Sequence, residues 1–177
     1  MWHTSSMLES LVAGCAPDLK LRLTATGSAL RSIGFVRDAD LLSPEKAGDM
    51  PAGPLSSSSP ILAEAVRQLR AYFAGSLREF TLPLDPQGTE FQKRVWHELQ
   101  TIPFGEVRSY SQIAEAIGAP KAVRAVGAAN GANPLAVVVP CHRVIGSSGK
   151  LVGYGGGLPL KKLLLDLEGC TMVLFRT

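Results

Sequence analysis

The chain has 177 residues, of which 46% are hydrophobic and 19% charged. This composition excludes wholesale disorder, and the length suits one domain or two small ones. No apolar run approaches the roughly 18 residues of a membrane-spanning helix, and residues 1–12 lack a signal-peptide pattern. Three cysteines are too few for a disulfide scaffold and fit a reducing compartment. We therefore expect a cytoplasmic protein without membrane association.

The first half of the chain predicts a small sheet and one helix. Leucines alternate with polar residues over 19–23, which is typical of a half-buried strand, and a second strand is predicted over 30–36. Ser59-Pro60 marks a helix start, because proline is favoured at the first helical position. Alternation over 80–84 predicts a last short strand. Residues 38–59 have no periodicity and predict a flexible loop.

The second half predicts a series of helices. Thr89 and Gln92 have the spacing of a capping box at the start of the first. Ser109 is a candidate N-cap for a short helix, and a glycine turn separates it from a helix over 121–129. Helix, tight turn and helix form the helix-turn-helix pattern. An amphipathic helix over 160–167 follows.

Charge is unevenly distributed along the chain, whose net charge is +3. Residues 1–86 carry 8 basic and 9 acidic side chains, a net of −1, whereas residues 87–177 carry 10 and 6, a net of +4. The acid-free stretch between Glu115 and Asp166 holds six basic residues: Lys121, Arg124, Arg143, Lys150, Lys161 and Lys162. Six such cations on one surface would attract a polyanion. Charge alone, however, favours ordinary solvated side chains.

The second helix of the helix-turn-helix is unusually poor in long side chains. Its exposed candidates are Lys121, Arg124 and Asn130, and the remaining residues are alanine, glycine and valine. Such a helix cannot distinguish base sequences, but it would allow close approach to a minor groove, with Arg124 able to enter the base stack. The alternative is a helical hairpin whose alanines pack in the core, and the segment alone leaves both interpretations open.

One cysteine differs from the other two in its surroundings. Cys141 is followed by His142 and Arg143, two groups that would favour its thiolate. Adjacent side chains on an extended backbone point apart, so we expect His142 to act on the thiol through a water. Glu168 is the candidate partner that orients His142. The remaining cysteines are interpreted as small buried hydrophobic residues: Cys15 and Cys170.

Several motifs surround this cysteine in a specific order. They are Ser109-Tyr110, Arg124, Asn133, Pro-Cys-His-Arg-Val over 140–144 and Gly-Tyr-Gly-Gly-Gly over 153–157. In order and spacing they resemble the O6-alkylguanine-DNA alkyltransferase family over about residues 88–169, whereas the first 87 residues resemble it loosely. The resemblance implies an α/β (α+β) fold with two domains. Residues 1–87 would form a small RNase H-like α/β domain, and residues 88–177 a mostly helical, winged-helix-like domain that carries the helix-turn-helix.

The resemblance implies repair of DNA by direct reversal of damage, in a single irreversible turnover. Cys141 would accept the alkyl group of O6-alkylguanine after the damaged nucleotide is flipped out through the minor groove. His142, a water and Glu168 would draw off the thiol proton. Tyr110 would push on the 3′ phosphate and donate a proton or hydrogen bond to N3 of guanine, and Arg124 would fill the vacated stack.

Further positions are assigned through the same resemblance. Asn133 would hold the turn between the DNA-binding helix and the cysteine. Gly155 stands where the family often has serine, which predicts a roomier pocket. The substrate pocket would be lined by Pro140, Val144, Tyr154, Gly155 and Gly156. Contacts to DNA would come from Tyr110, Lys121, Ala122, Arg124, Asn130 and Ser147.

The resemblance also bears on cofactors and partners. The structural zinc of some family members would have only His3 and Cys15 available in the first half of this chain, so no metal and no cofactor are predicted. The predicted partner is double-stranded DNA containing alkylated guanine, bound by a monomer that can cluster along the duplex. Activity on O4-alkylthymine is left open.

Two other classes of function are considered. A DNA-binding module without chemistry would lack the acceptor cysteine, and the presence of Cys141 argues against it. A cysteine hydrolase would turn over an acyl substrate without binding DNA, and no oxyanion hole is visible in the sequence.

Overall fold

The structure is a computed structural model that describes residues 8–16, 19–36 and 59–170. The loop predicted over 38–59 therefore lies outside the described residues except for Ser59. The chain divides into two units, residues 1–86 and 87–177. None of the helices in the described ranges is long and apolar enough to cross a membrane.

The first unit is built on a three-stranded antiparallel sheet in the order β1-β2-β3. Its strands are β1 (Glu9–Ala16), β2 (Leu19–Ala25) and β3 (Leu30–Val36). The predictions of β2 and β3 are confirmed, whereas β1 was not predicted. The small residues of β1 give little hydrophobic alternation, although Ala13 and Cys15 are buried at 1% and 6% exposure.

The core of this unit lies between the sheet and helix α1 (Pro60–Phe73). In the register of the sheet, Leu23 lies opposite Leu11 of β1 and Ile33 of β3. Leu62 of α1 is fully buried on the helix face that packs against the strands. Proline occupies the first turn of α1, as predicted.

The strand predicted over 80–84 is wrong. Only its last residue forms a β-bridge, a parallel one with Leu30. Pro83 has no N–H to donate to a ladder. Buried Gln68 binds this segment instead, because its side chain accepts from the backbone N–H of Thr81 and donates to the Thr81 hydroxyl, each at 2.9 Å.

The second unit begins with three helices, two of which have locally encoded starts. They are α2 (Glu90–Leu99), α3 (Tyr110–Ala116) and α4 (Val123–Gly131). Thr89 and Ser109 each form a complete capping box at the start of α2 and α3, which confirms both predicted starts.

Helix α4 begins two residues later than the predicted 121–129. The N–H of Ala122 donates to the carbonyl of Ala119 at 2.8 Å, so the intervening Pro120 and Lys121 belong to a tight turn. Helices α3 and α4 pack against each other and against α2, in agreement with a helix-turn-helix.

A short parallel pair of strands brings together two distant parts of this unit. Strand β4 (Arg108–Ser109) pairs with β5 (Val144–Ile145). Because β4 leads directly into α3 and β5 directly follows a 3₁₀ turn over Cys141–Arg143, the start of α3 lies next to that turn. The last helix, α5 (Leu158–Leu167), confirms the helix predicted over 160–167.

We expect Gly88→Ala to destabilise the second unit by about 2 kcal/mol, as overpacking of a filled core does. A Cβ at Gly88 would lie 2.5 Å from the ring of Trp96, and that ring is 2% exposed and held by a 2.8 Å hydrogen bond from Nε1 to the Ala129 carbonyl. Urea unfolding measures the free energy of unfolding. Gly131→Ala is the matched control, because a Cβ there meets no atom within 4 Å. Equal stability of the two variants would contradict this packing.

Candidate active site

The turn that carries Cys141 is held by two asparagine side chains. Asn133 Nδ2 donates to the Val139 carbonyl at 2.8 Å, and Asn133 Oδ1 accepts from the N–H of Leu135 at 3.0 Å. Asn130 Nδ2, on α4, donates to the carbonyl of Cys141 at 3.4 Å. The predicted role of Asn133 in this turn therefore has a direct structural basis.

The segment before the cysteine contains a strained residue. Val137 is fully buried and has a φ of 73°, a left-handed conformation that a β-branched side chain rarely adopts. Such strain persists only where the surroundings impose it. The Asn133 bonds on either side of Val137 provide that constraint.

Burial favours the protonated form of the Cys141 thiol. Cys141 is 5% exposed, and burial raises the pKa of its thiol, although a hydrogen bond from Asn133 and the charge of Lys161 both lower it. The turn is 3₁₀ and not extended, in contrast to the prediction. His142 and Arg143, which are predicted to favour the thiolate, do not outweigh desolvation of the Cys141 thiol, and the Arg143 guanidinium is bound to Glu168.

A buried carboxylate lies behind the cysteine turn. Glu168 Oε1 lies 2.9 Å from His142 Nε2, which brings together the two residues expected to interact. Arg143 donates to the same carboxylate from Nε at 2.8 Å and from Nη2 at 2.9 Å. Burial alone would raise the pKa of Glu168, but these bonds from His142 and Arg143 outweigh it and lower the pKa to about 2. Glu168 is therefore an anion at neutral pH.

This carboxylate decides which ring nitrogen of His142 carries the proton. Burial lowers the pKa of the fully buried imidazole, more than Glu168 raises it, so the ring is neutral at pH 7. A carboxylate accepts hydrogen bonds only, so Nε2 carries the ring proton and Nδ1 is the basic nitrogen. No described side chain or backbone group hydrogen-bonds Nδ1, which leaves it available as a base.

Tyr110 enters the site from the first position of α3. Its ring lies against Gly127 of α4, where a Cβ would come within 3.9 Å of it. Its hydroxyl donates to the Val152 carbonyl at 3.4 Å. Burial, and then the charge of Cys141, raise the pKa of Tyr110, so the phenol keeps its proton near neutral pH.

Of the predicted pocket residues, Pro140 and Val144 flank the cysteine turn, and the other three lie in the loop before α5. Pro140 and Val144 are buried, Tyr154 and Gly156 are half-buried, and Gly155 is exposed. Burial, followed by the charges of Cys141 and Glu168, raises the pKa of Tyr154, which places its phenol near the thiol. A Cβ at Gly155 would meet no atom within 4 Å, so the prediction of a roomier pocket stays open to test.

The exposed face of α4 carries short side chains and one arginine. Arg124, Ala125 and Ala128 are exposed, so these alanines are not core residues, whereas Ala129 is buried. The predicted exposure of Asn130 is wrong: it is 3% exposed and faces Cys141. Of the other predicted DNA contacts, Lys121 and Ser147 are exposed and Ala122 is half-buried.

Not all six basic residues of the acid-free stretch lie at the protein surface. Four of them are exposed: Lys121, Arg124, Lys150 and Lys162. Lys162 is paired with Asp166 at 2.6 Å. Arg143 and Lys161 are 6% and 0% exposed and belong to the interior. The acid-free stretch therefore presents four exposed cations, and not six, to a polyanion.

Lys161 is the site residue that the sequence analysis missed. Its ammonium donates to backbone carbonyls on both sides of the pocket. A signal was present in the helix period, since Lys161 precedes buried Leu164, Leu165 and Glu168 by three, four and seven residues. The helical period thus places it on the buried face of α5.

Metal ligands are not clustered in the described part of the chain. No group of three or more His, Cys, Asp and Glu side chains there is arranged to hold a metal ion. His3 lies outside the described residues, so the absence of zinc stays a prediction.

Comparison with known proteins identifies the family. Residues 90–170 match the model of the 6-O-methylguanine DNA methyltransferase, DNA binding domain, and residues 17–86 match its ribonuclease-like domain. A methylated-DNA–protein-cysteine methyltransferase of Mycobacterium leprae is 54% identical over 148 residues, which cover 84% of this chain and 85% of that relative. The chain belongs to the methylated-DNA–protein-cysteine methyltransferase family. The predicted resemblance is confirmed.

Other members of this family align over different lengths. One from Mycolicibacterium paratuberculosis is 70% identical over 106 residues, which cover 60% of this chain and 64% of that relative. The crystal structure of Mycobacterium tuberculosis O6-methylguanine methyltransferase has a TM-score of 0.78 at 49% identity, covering 92% of this chain and 93% of that chain. A complex of Mycobacterium tuberculosis OGT with DNA has a TM-score of 0.72 at 46% identity, covering 91% of both chains. The mixed α/β fold class is thereby confirmed.

We expect Glu168→Gln to lower the free energy of unfolding by about 3 kcal/mol at pH 7, because it leaves the Arg143 guanidinium buried without its anion. Folding lowers the pKa of Glu168 from 4.5 to about 2. The stabilisation by this carboxylate is therefore complete above the unfolded pKa and is lost as the pH falls towards 2. Urea unfolding at a series of pH values should show the gap between wild type and variant narrowing below about pH 5.

The control is Glu115→Gln, which removes an exposed carboxylate. Its free energy of unfolding should follow that of wild type at every pH. A gap for Glu168→Gln that does not change with pH would rule out the anionic role.

Proposed function

We propose that this protein repairs alkylated DNA by moving the alkyl group of O6-alkylguanine onto Cys141 in a single irreversible turnover. The observation that carries the proposal is the buried Cys141–His142–Glu168 arrangement, in the same unit as an exposed helix-turn-helix. The target oxygen lies on the Watson–Crick edge, so the nucleotide must leave the stack before a protein sulfur can reach its alkyl carbon.

The thiol needs a base only when substrate is present. Burial keeps Cys141 protonated, and neutral His142 offers Nδ1 as the base while Glu168 holds Nε2–H. A water between the sulfur and Nδ1 would carry the proton. The resulting imidazolium is stabilised by the Glu168 carboxylate, and the thiolate becomes the nucleophile.

Transfer is a displacement at carbon. The sulfur forms a bond to the alkyl carbon while the bond from that carbon to O6 breaks, and the electron pair moves into the guanine ring. A hydrogen bond from Tyr110 to N3 stabilises this charge, and the raised pKa of Tyr110 suits a group that must hold its proton until then. The product is a thioether without a carbonyl for water to attack, so the acceptor is not regenerated.

The DNA contacts follow from the exposed face of α4. Short side chains at Ala125 and Ala128 permit close approach to a minor groove, and Arg124 is long enough to fill the space of a flipped nucleotide. Lys121 and Ser147 are exposed and would contact phosphates. We further propose that the protein acts in the cytoplasm as a monomer that clusters along duplex DNA and needs no cofactor.

We expect the intact mass of the protein to rise by one methylene after mixing with duplex DNA that carries O6-methylguanine, with at most one methyl group accepted per molecule. Cys141→Ser should show no gain, and peptide mass spectrometry should place the added group on Cys141. Repeated turnover, or an unchanged gain in Cys141→Ser, would refute the proposal. Binding without any gain would favour a module without chemistry, and turnover of an acyl ester would favour a hydrolase.

We expect Arg124→Ala to slow methyl transfer from duplex DNA about tenfold or more, because nothing then replaces the flipped base in the stack. Transfer from a single strand should change less than about threefold, since no stack has to be refilled. Single-turnover quench experiments measure both rates. Lys93→Ala removes an exposed, paired lysine of α2 and serves as the control for loss of positive charge. Equal losses on both substrates would contradict this role of Arg124.

A further inference from the structure

Lys161 of α5 is a fully buried lysine that the proposed transfer does not use. Its Nζ donates to the carbonyls of Val144 at 2.6 Å, Val152 at 2.8 Å and Gly153 at 3.4 Å. The three N–H groups of the ammonium thus have three acceptors. All of them are neutral backbone groups.

These carbonyls belong to two separate walls of the pocket. Val144 directly follows the turn that holds Cys141, whereas Gly153 directly precedes Tyr154. The ammonium therefore joins the acceptor turn to the loop opposite it. The Val152 carbonyl also accepts from the Tyr110 hydroxyl at 3.4 Å. The hydrogen bonds around Lys161 therefore extend to the start of α3.

The ammonium is also a buried charge without a paired acid. No carboxylate among the described residues forms an ion pair with Lys161, and desolvation lowers its pKa to about 8. An isolated buried cation is costly and is retained where its charge or its donors serve a purpose. Its charge acts on the Cys141 thiol and favours the thiolate.

We propose that Lys161 is a positioning residue for alkyl transfer, whose ammonium fixes the spacing of the two pocket walls and supplies positive charge near the acceptor sulfur. The proposal rests on the proposed function for the transfer itself. The three hydrogen bonds of the ammonium, which we call the Lys161 clamp, keep Cys141 at a fixed distance from Tyr154. The positive charge favours the Cys141 thiolate when His142 takes the proton.

Other ionisable groups also act on the thiol and must be kept unchanged in a test. From other elements the thiol is faced by Tyr110, Tyr154 and Lys161. In its own turn lie His142 and Arg143, both bound to Glu168. Tyrosines that keep their protons add no positive charge, and the Arg143 guanidinium is neutralised by Glu168. Lys161 is therefore the cation whose removal changes the potential at the sulfur.

The test compares Lys161→Met, which has similar length but neither charge nor donors, with Lys162→Met. Lys162 is the next residue of the same helix, is exposed and pairs with Asp166 at 2.6 Å. We expect Lys161→Met to slow methyl transfer from duplex DNA at least about tenfold, as misplaced reacting groups do. Lys162→Met should stay within about twofold of wild type.

A second readout does not require DNA. The pH dependence of Cys141 carbamidomethylation by iodoacetamide, followed on the Cys141 peptide, reports thiolate formation directly. Below about pH 8, where Lys161 carries its charge, the carbamidomethylation rate of Lys161→Met should be about tenfold lower than that of wild type, and the rate of Lys162→Met should match wild type. A wild-type transfer rate in folded Lys161→Met overturns the proposal. A slower rate with an unmoved thiol profile also overturns it, in favour of a purely structural role.

Should Lys161→Met fail to fold, as circular dichroism would show, Lys161→Arg takes its place. Arginine keeps the charge but replaces the three-donor ammonium with a planar fork. We expect slower transfer with a wild-type thiol profile, whereas transfer at the wild-type rate overturns the clamp. Wild-type protein that never gains a methyl group would refute the proposed function, while the iodoacetamide profiles would still decide the effect of Lys161 on the thiol.

Discussion

The Glu168 carboxylate determines the arrangement of the whole site. It is 5% exposed and accepts hydrogen bonds from both His142 and Arg143, so one anion orients the imidazole and neutralises the guanidinium. Arg143 in turn donates to the Ile102 carbonyl at 2.5 Å and lies 5.9 Å from the centre of the Phe104 ring. The network therefore connects the turn after the acceptor cysteine to the segment that follows α2. Without the Glu168 carboxylate, neither His142 nor Arg143 would keep its present hydrogen-bond partner.

Helix α5 and its C-cap residue supply two further polar groups that support this turn. Lys161 and Glu168 are seven residues apart, about two helical turns, and Leu165 between them packs against Ile145 of β5. Lys161 thus binds the backbone on either side of the pocket, and Glu168 binds the His142 imidazole. The parallel pairing of β4 with β5 places the start of α3 beside the same turn. These elements together position His142, Cys141 and Tyr110.

Local signals account for the parts of the fold that could be predicted. The capping boxes at Thr89 and Ser109 and the leucine alternation of β2 act within a few residues, and each appears in the structure as expected. Strand β1 was missed because its small side chains are buried by pairing with β2. The burial of Asn130 and of Lys161 depends on carbonyls contributed by distant segments, Cys141 for the first and Val144 for the second. The carbonyl partners of Asn130 and Lys161 cannot be read from neighbouring residues, although the helical period of α5 does place Lys161 on its buried face.

The shielding of the Cys141 sulfur has a consequence for the single turnover that we propose. A thiol that is 5% exposed and has a raised pKa presents almost no nucleophile to water. Oxidants and small electrophiles in the cell react with exposed thiolates far faster than with protonated, enclosed sulfur. Under the proposed single turnover, the burial that disfavours ionisation of Cys141 would also protect it from side reactions before it meets a damaged base.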